Sequence, residues 1–510
     1  MTDAQKNLDD KTPILVGAGQ YVERQATPHG PMYLASQAAA GAVADCGAPN
    51  IAAHIDTIGV IRLFSDSLGP WTGKHGRSNN PPQSIAKAIG ASPKTRIYSP
   101  VGGNEPLSLL IECAKDIAEG KKEMALIAGS EAIKNQRQAD RDDQTLSWDE
   151  VFDEPFDDRL APPSLLTVQE RYSGLATPIR TYSLFDQARR HAQRADLASY
   201  SNAMAALMAP LSEVAAQNPY AQFPESYSAD DIAKSRQLTH MYTGRMVARD
   251  AVNLGAAVLV CSVGKAKQLA IPQDRWVFLH GLAEGKELRP SERPNLATSP
   301  MAGKVVDRAL DLAEKDIAGI DGLDIYSCFP CAVSMLTDHL GIPTDGSRAL
   351  TLTGGLPYLG GPGNNYSMHA LAEALWRCRQ RPDDFTLVTC NGGFLSKHAT
   401  GVFSAVPSLR DWSRVETRIS QSGLDKKPLA THPTGGRIIS YAVDYWGSDT
   451  PTGACVLAET DTGERFICTT AEGDNATAAS FADADDLTGR LILTRPANVE
   501  QETFHFALSL

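Results

Sequence analysis

Two stretches, ECAKDIAEGKKEMALIAGSEA at 112–132 and EALWRCRQRPDDFTLVTCNGG at 373–393, decide the fold. Each places a helical stretch, a short turn, an apolar strand and a small-residue turn in the same order, so the chain carries two copies of one βαβ arrangement. Outward from the first copy, PILVGAGQ (13–20), IDTIGVIRLF (55–64) and RIYSPVGG (96–103) predict strands. MYLASQAAAGAVADCGA (32–48), SIAKAIGA (84–91) and LSLLIECAKDIAEG (107–120) predict the helices between them. Around the second copy, RWVFLHGLAE, GLDIYSCF and ATGVFSAVP alternate with MAGKVVDRALDLAEKDIAGI, CAVSMLTDHLGI and YSMHALAEALWRCRQRP. Alternation at this spacing predicts an α/β fold with a largely parallel sheet covered by helices.

Two regions depart from that rhythm. Residues 133–250 begin with the acidic QADRDDQTLSWDEVFDEPFDDR and continue into polar helical sequence such as 183–217, which predicts an inserted helical subdomain. The core pattern resumes at DAVNLGAAVLVCSVGKAKQL (250–269) as helix, strand and helix. Beyond about residue 410, GRIISYAVDYW, GACVLAETDTGERFICTTAEG and GRLILTRPA alternate apolar and polar residues between turns, the pattern of a small antiparallel β domain. Strict alternation would put Ile438, Ser440 and Ala442 on one face and Ile439, Tyr441 and Val443 on the other. The expected division is 1–270 for the first half including the 133–250 insertion, 271–410 for the second half and 411–510 for the β domain.

Composition narrows the function classes. With 48 Lys plus Arg against 60 Asp plus Glu the net charge is −12, which argues against nucleic acid or an anionic membrane surface as the main partner. No apolar run approaches the roughly 18 residues of a membrane span. The N-terminus MTDAQKNLDDKTP carries no signal-peptide pattern, and nine scattered cysteines suit a reducing compartment, so a cytoplasmic protein is expected.

Four turns collect polar residues where open α/β sheets bind ligands: SPVGGNEP (99–106), DIYSCFPC (324–331), TGGLPYLGGPGNNYSMHA (353–370) and TCNGGFLSKHATG (389–401). Any one glycine turn is ordinary; three of them, together with the DIYSCFPC turn at the same topological position, predict a site. Cys390 follows an apolar strand and precedes two glycines whose N–H groups could form an oxyanion site, although a buried cysteine is more often an inert small hydrophobe. Cys328 and Cys331 form C-x-x-C without a second ligand pair, so no metal is expected. Walker, zincin and G-x-S-x-G signatures are absent.

With VGGNEP before LLIECAKDIAEGKKEMALIAGSEA, NPYA at 218–221, DIYSCFPCAV, TGGLPYLGGPGNNYSMHA and SKHATGVFS, the sequence resembles the thiolase superfamily over about 12–410. The nearest resemblance is to the thiolase-like proteins of type 1, often labelled acetyl-CoA acetyltransferases, which carry an extra C-terminal β domain. That resemblance implies two βαβαβαββ halves in five layers, αβαβα, an OB-like C-terminal domain, coenzyme A as substrate or ligand, and acyl-CoA chemistry of lipid metabolism. A homodimer is left open.

The family's catalytic residues carry over unevenly. The nucleophile position falls at Gly103, the G-H-P turn reads Gly360-Gly361-Pro362, and the H-D-C-F turn reads Tyr326-Ser327-Cys328-Phe329. Only the C-x-G-G turn keeps its reactive residue, Cys390. The resemblance therefore implies an acyl-CoA site without a cysteine nucleophile. Its candidate catalytic residues are Cys390, Tyr326, Tyr366, His369 and His398, and its candidate binding residues are Gly103, Asn104, Gly361, Asn364 and Gly392. Three activities stay open: acyltransferase-type or C–C chemistry without an acyl-enzyme, retro-aldol cleavage of a 3-hydroxyacyl-CoA, and binding of CoA without catalysis.

Overall fold

The computed structural model describes residues 8–67, 73–159 and 165–508, with backbone alone at 507–508. The first half runs β1 (Pro13–Val22), α1 (Pro31–Asp45), β2 (Thr57–Val60), α2 (Pro81–Ile89), β3 (Thr95–Tyr98), α3 (Glu105–Ala118) and β4 (Met124–Ala132). The insertion follows as α4 (Ile133–Arg141), the short β5 (Asp157–Asp158), α5 (Pro178–Gln193) and α6 (Leu197–Gln217), and β6 (Asn253–Ser262) closes the half. The second half runs β7 (Val277–Lys286), α7 (Pro300–Ala313), β8 (Gly322–Asp324), α8 (Pro330–Leu340), α9 (Tyr366–Gln380), β9 (Thr386–Gly392) and β10 (Lys397–Ser404).

Local chemistry sets several of these boundaries. Helix α2 starts at Asn80, whose side chain accepts the Gln83 N–H, has Pro81 in its first turn, and stops at Gly90 in the left-handed conformation. Helix α1 lies directly on β1 because Gly17 and Gly19 have no Cβ; one would sit 2.2 Å from Ala42 O and 2.1 Å from Ala38 O, respectively. No helix forms at 250–252; that segment leads directly into β6.

The sheet order is β5-β3-β2-β4-β6-β1-β7-β10-β9-β8. It is mixed rather than largely parallel. The β2/β3, β2/β4, β3/β5 and β8/β9 pairs are parallel, while β4/β6, β6/β1, β1/β7, β7/β10 and β10/β9 are antiparallel. The short turn between β9 and β10 permits only a hairpin, and the long insertion returns β6 antiparallel to β4. The two halves meet where β1 pairs with β7 at Ile14–Phe278 and Leu15–Val277. One core contains α3, α9 and strand residues of both halves, so those helices form a central layer. Helices α1 and α2 cover the outer side of the first half, and α7 and α8 that of the second, completing αβαβα.

Short β11 (Arg418–Ile419) pairs with β7, after which β12 (Gly435–Asp444), β13 (Gly453–Glu459), β14 (Arg465–Thr469), α10 (Asn475–Asp483), β15 (Leu491–Asn498) and β16 (Thr503–Leu508) form the C-terminal domain. These strands close a barrel in the order β12-β13-β14-β16-β15, a five-stranded Greek-key arrangement of the OB type. Among the described residues, the one parallel pair of barrel strands is β14 with β16. A bulge at Ile439 shifts the side-chain phase, so Ile438 shares the barrel interior with Tyr441 and Val443, while Ser440 and Ala442 face the core.

The polar helix α5 is buried because the barrel covers it. Ser440 Oγ donates to Leu184 O at 2.6 Å, Arg190 donates to Asp485 O at 2.5 Å, and Arg180 pairs with Asp444 at 2.5 Å. Among the described residues, no helix is long and apolar enough to cross a membrane, and no group of three His, Cys, Asp or Glu is placed to hold a metal.

Candidate active site

The turn after β3 delivers Gly102 and Gly103 to the start of α3, and the turn from 361 to 367 holds it there. Asn364 accepts the Gly102 N–H at 3.0 Å and donates to Arg62 O at 2.8 Å, while Ser367 donates to Gly103 O at 2.8 Å. Gly103 is tightly enclosed. A Cβ there would lie 2.4 Å from both the Tyr326 hydroxyl and Asn391 O. The Tyr326 phenol thus occupies the space that a side chain at 103 would need.

Tyr326, Cys390, Asn391 and His398 line one small cavity of about 10 Å³, room for roughly one water. Burial, then the neighbouring Cys328 and Cys390, hold the Tyr326 phenol well above its ordinary pKa. Burial pushes the Cys390 thiol up to about 12, with the Ser367 hydroxyl opposing and the Asp324 charge adding. Cys390 is therefore a protonated thiol at neutral pH. Burial lowers His398 to about 4, with Glu287 opposing and Arg293 adding. Its Nε2 lies 3.2 Å from Leu395 O, an acceptor only, which puts the imidazole proton on Nε2.

The Tyr326 hydroxyl has no hydrogen-bond partner among the described residues. Asn391, which the sequence reading passed over between Cys390 and Gly392, donates to the Tyr182 hydroxyl at 2.9 Å and leaves its buried Oδ1 without a partner. Its position inside C-x-G-G was the available signal. Tyr182, on α5, stacks on Phe329 at 4.1 Å and accepts the Leu395 N–H at 3.1 Å, which holds Asn391 and Leu395, two residues of the cavity wall, in place.

The other candidates are placed differently. The Tyr366 hydroxyl lies 2.6 Å from Thr353 Oγ1 and 3.3 Å from Asp324 Oδ1. Asp324 also accepts the Leu352 and Thr353 N–H groups and the Thr351 hydroxyl, and burial raises its pKa. Burial lowers His369 to about 3; its Nδ1 meets Gln20 at 2.6 Å, and Gln20 in turn donates to Glu373. Tyr366 and His369 thus belong to core networks, and neither lines the small cavity. The Gly361 N–H is taken by Arg249 O at 2.7 Å. A Cβ on Gly392 would lie 2.4 Å from Asn104 Oδ1, a buried acceptor without a partner. Asn104 also donates to Glu105 and Ser108, each at 3.1 Å.

His398 is a shared wall between this cavity and a wider one of about 910 Å³ between α3, the ends of β7 and β10, and the strap at 416–421. Asn104, Glu105 and Lys397 line the wider space, the last two facing each other at 3.5 Å. Burial raises Glu105 and lowers Lys397. Lys115 and Lys286 also line it, with no carboxylate within 4.0 Å among the described residues.

Neither a protein-family model nor a curated protein matches the chain. Solved structures do. A monomeric SCP2-thiolase-like protein type 1 from Mycobacterium smegmatis is similar at 32% identity, covering 98% of this chain and 100% of that one, with a TM-score of 0.82. The Ltp2-ChsH2(DUF35) aldolase is similar at 17% identity over 78% of this chain and 99% of its own, TM-score 0.59. The dimeric peroxisomal thiolase of Saccharomyces cerevisiae is similar at 14% over 78% and 98%, TM-score 0.56. The last two likenesses show the fold alone. The first, together with five layers and a closed barrel in one chain, establishes the family: the chain belongs to the thiolase superfamily, among the SCP2-thiolase-like proteins.

Proposed function

We propose that the protein binds an acyl-CoA thioester and performs C–C bond chemistry by proton transfer, without an acyl-enzyme. The observation that carries this reading is the placement of the Tyr326 hydroxyl in the space a side chain at Gly103 would fill. With glycine at 103 and 361, acyl transfer through a cysteine thioester lacks its nucleophile and its histidine. A phenol held well above its ordinary pKa is a neutral donor at physiological pH, suited to an enolate or thioester oxygen.

On a 3-hydroxyacyl-CoA this gives a retro-aldol cleavage. A base removes the 3-hydroxyl proton, the C2–C3 bond breaks, and the carbonyl product leaves. The electron pair remains on the thioester enolate, whose oxygen accepts from Tyr326, and a proton returned to C2 yields the shortened acyl-CoA. His398, unprotonated above about pH 4, is the available base, and Cys390 is a neutral thiol beside it. Asn104 and the Gly103 and Gly392 backbone are proposed to line the thioester, Asn364 to hold the glycine turn, and coenzyme A enters as part of the substrate. The wider cavity, which reaches His398, is the proposed approach. Because β5 covers the outer edge of β3, and the M. smegmatis relative is described as monomeric, the proposed working form is a monomer. Nine buried thiols without a disulfide support a reducing compartment, which we take to be the cytoplasm.

A second reading, binding without catalysis, is favoured by the small volume of the inner cavity. Assays of acetoacetyl-CoA thiolysis and 3-hydroxyacyl-CoA cleavage with wild type and Tyr326→Phe separate the two. Cleavage that Tyr326→Phe abolishes supports the catalytic reading; acyl-CoA binding with neither reaction supports the second. Rapid thiolysis contradicts both.

A further inference from the structure

A second cleft, of about 600 Å³, opens on the outer side of the first half, lined from 28–37, 63–66, 73–88, 131–136 and 147–150. None of its lining residues borders the Tyr326 cavity, and its volume is that of a small-molecule site. At its base lies Glu131, 3% exposed on β4. Its Oε1 accepts the Phe64 N–H at 2.8 Å, and its second oxygen takes no hydrogen bond among the described residues. The side chain is thus held from one side only, and the oxygen that takes no protein partner is left for a group in the cleft that Glu131 lines.

The walls are aromatic. Gly30 lets the Trp148 indole lie against the backbone, where a Cβ would come within 2.8 Å of the ring, and the indole N–H donates to Pro28 O at 2.8 Å. Tyr33 stacks on His29 with ring centroids 3.8 Å apart. The charges are mostly negative. Asp66, Asp149 and Glu150 line the cleft with Glu131, against Arg77, which lies 3.4 Å from Asp66. The two histidines are engaged elsewhere, His29 with Glu23 at 2.7 Å and His75 with Asp140 at 3.3 Å. Asp250, which adds to the field at Glu131, pairs with Arg137.

We propose that this cleft binds a small organic cation, an ammonium carried on an apolar or aromatic body, with Glu131 as its counter-charge and Trp148 and Tyr33 as its walls. Aromatic faces and carboxylates are the two groups that attract such a cation. Burial, together with Asp66 and Asp250, pushes Glu131 up to about 8 against the Phe64 N–H, so the carboxyl is mostly protonated at neutral pH. Docking an ammonium ionises it, and the proton goes to solvent.

The test is calorimetric titration of the full chain with phenethylammonium, phenethyl alcohol and 3-phenylpropionate. The expected result is binding of the ammonium alone, tighter by about tenfold or more at about pH 8.5 than at about pH 6, with release of about one proton near neutrality. Glu131→Gln, which keeps the acceptor for Phe64, should remove both the pH dependence and the proton release. Ser36→Leu, which fills the cleft from α1 and leaves Glu131 in place, should abolish binding and provides the test if Glu131→Gln does not fold. Equal binding of the alcohol, preference for the carboxylate, no binding of the ammonium, or an unchanged pH profile in Glu131→Gln would overturn the proposal.

Discussion

Tyr326 and Tyr366 lie edge to face with ring centroids 5.3 Å apart, both buried. Burial also holds both well above the ordinary phenol pKa. They differ in what the hydroxyl meets. Tyr366 closes a network around Asp324 and Thr353, whereas Tyr326 reaches the space left by Gly103 and has no partner among the described residues. Residue type and burial do not distinguish a structural tyrosine from a candidate catalytic one; the hydrogen-bond inventory does.

The largest expected effect breaks this pair on the functional side. Tyr326→Phe should lower kcat for C–C cleavage by about 10²–10³-fold, the range for loss of one donor to a developing oxyanion, while thermal stability barely moves because no bond is lost. Next comes Gly103→Ala. Its added methyl meets two atoms at 2.4 Å, so overpacking should cost about 1–3 kcal/mol in denaturant unfolding and displace Tyr326, reducing cleavage as well.

Tyr366→Phe should do the reverse of Tyr326→Phe. Leaving Thr353 and Asp324 short of a donor costs about 1–3 kcal/mol of stability, with cleavage held within a few fold. Smallest is the effect of pH on the site. Cys390 titrates near 12 and His398 near 4, so neither group changes charge in the neutral range and kcat should be flat there. Stability behaves differently. Four histidines have depressed native pKa values, about 3 for His240 and His369 and about 4 for His280 and His398. Through these four groups the unfolded chain binds more protons as pH falls below about 6.5, which lowers stability toward pH 4, whereas the raised carboxyls of Glu131, Glu105 and Asp324 act in the opposite sense. A denaturant midpoint that falls over this range is the expected result of four histidines acting together, and replacing His240 or His369 by Gln should flatten it.

Much of this was legible in the sequence. The repeat at 112–132 and 373–393 contained the two halves, and the change to alternating residues after 410 contained the barrel. The mixed sheet was not legible, because apolar strands such as 253–262 and 386–392 read the same whichever way their neighbours run. The Ile439 bulge escaped for a related reason: one extra residue reverses the facing of everything before it without changing composition. The burial of the polar helix α5 was not legible, because Asp444 and Asp485, the partners of its Arg180 and Arg190, lie far along the chain in the C-terminal domain. At the site, residue types gave the right turns but not their contacts. Cys390, Tyr326 and His398 share a cavity with Asn391, whereas Tyr366 and His369, one turn apart on α9, join networks around Asp324 and Gln20. Those networks depend on residues distant in sequence, which spacing alone cannot pair.

The proposed function requires that the Tyr326 hydroxyl has taken over the reacting position. A crystal structure with a non-cleavable 3-hydroxyacyl-CoA analogue tests it most directly. The thioester oxygen should lie within about 3.2 Å of the Tyr326 hydroxyl, the hydrogen-bonding range, with the Tyr366–Thr353 contact unchanged. A thioester bound elsewhere, or Tyr326 left without contact to it, would contradict the claim.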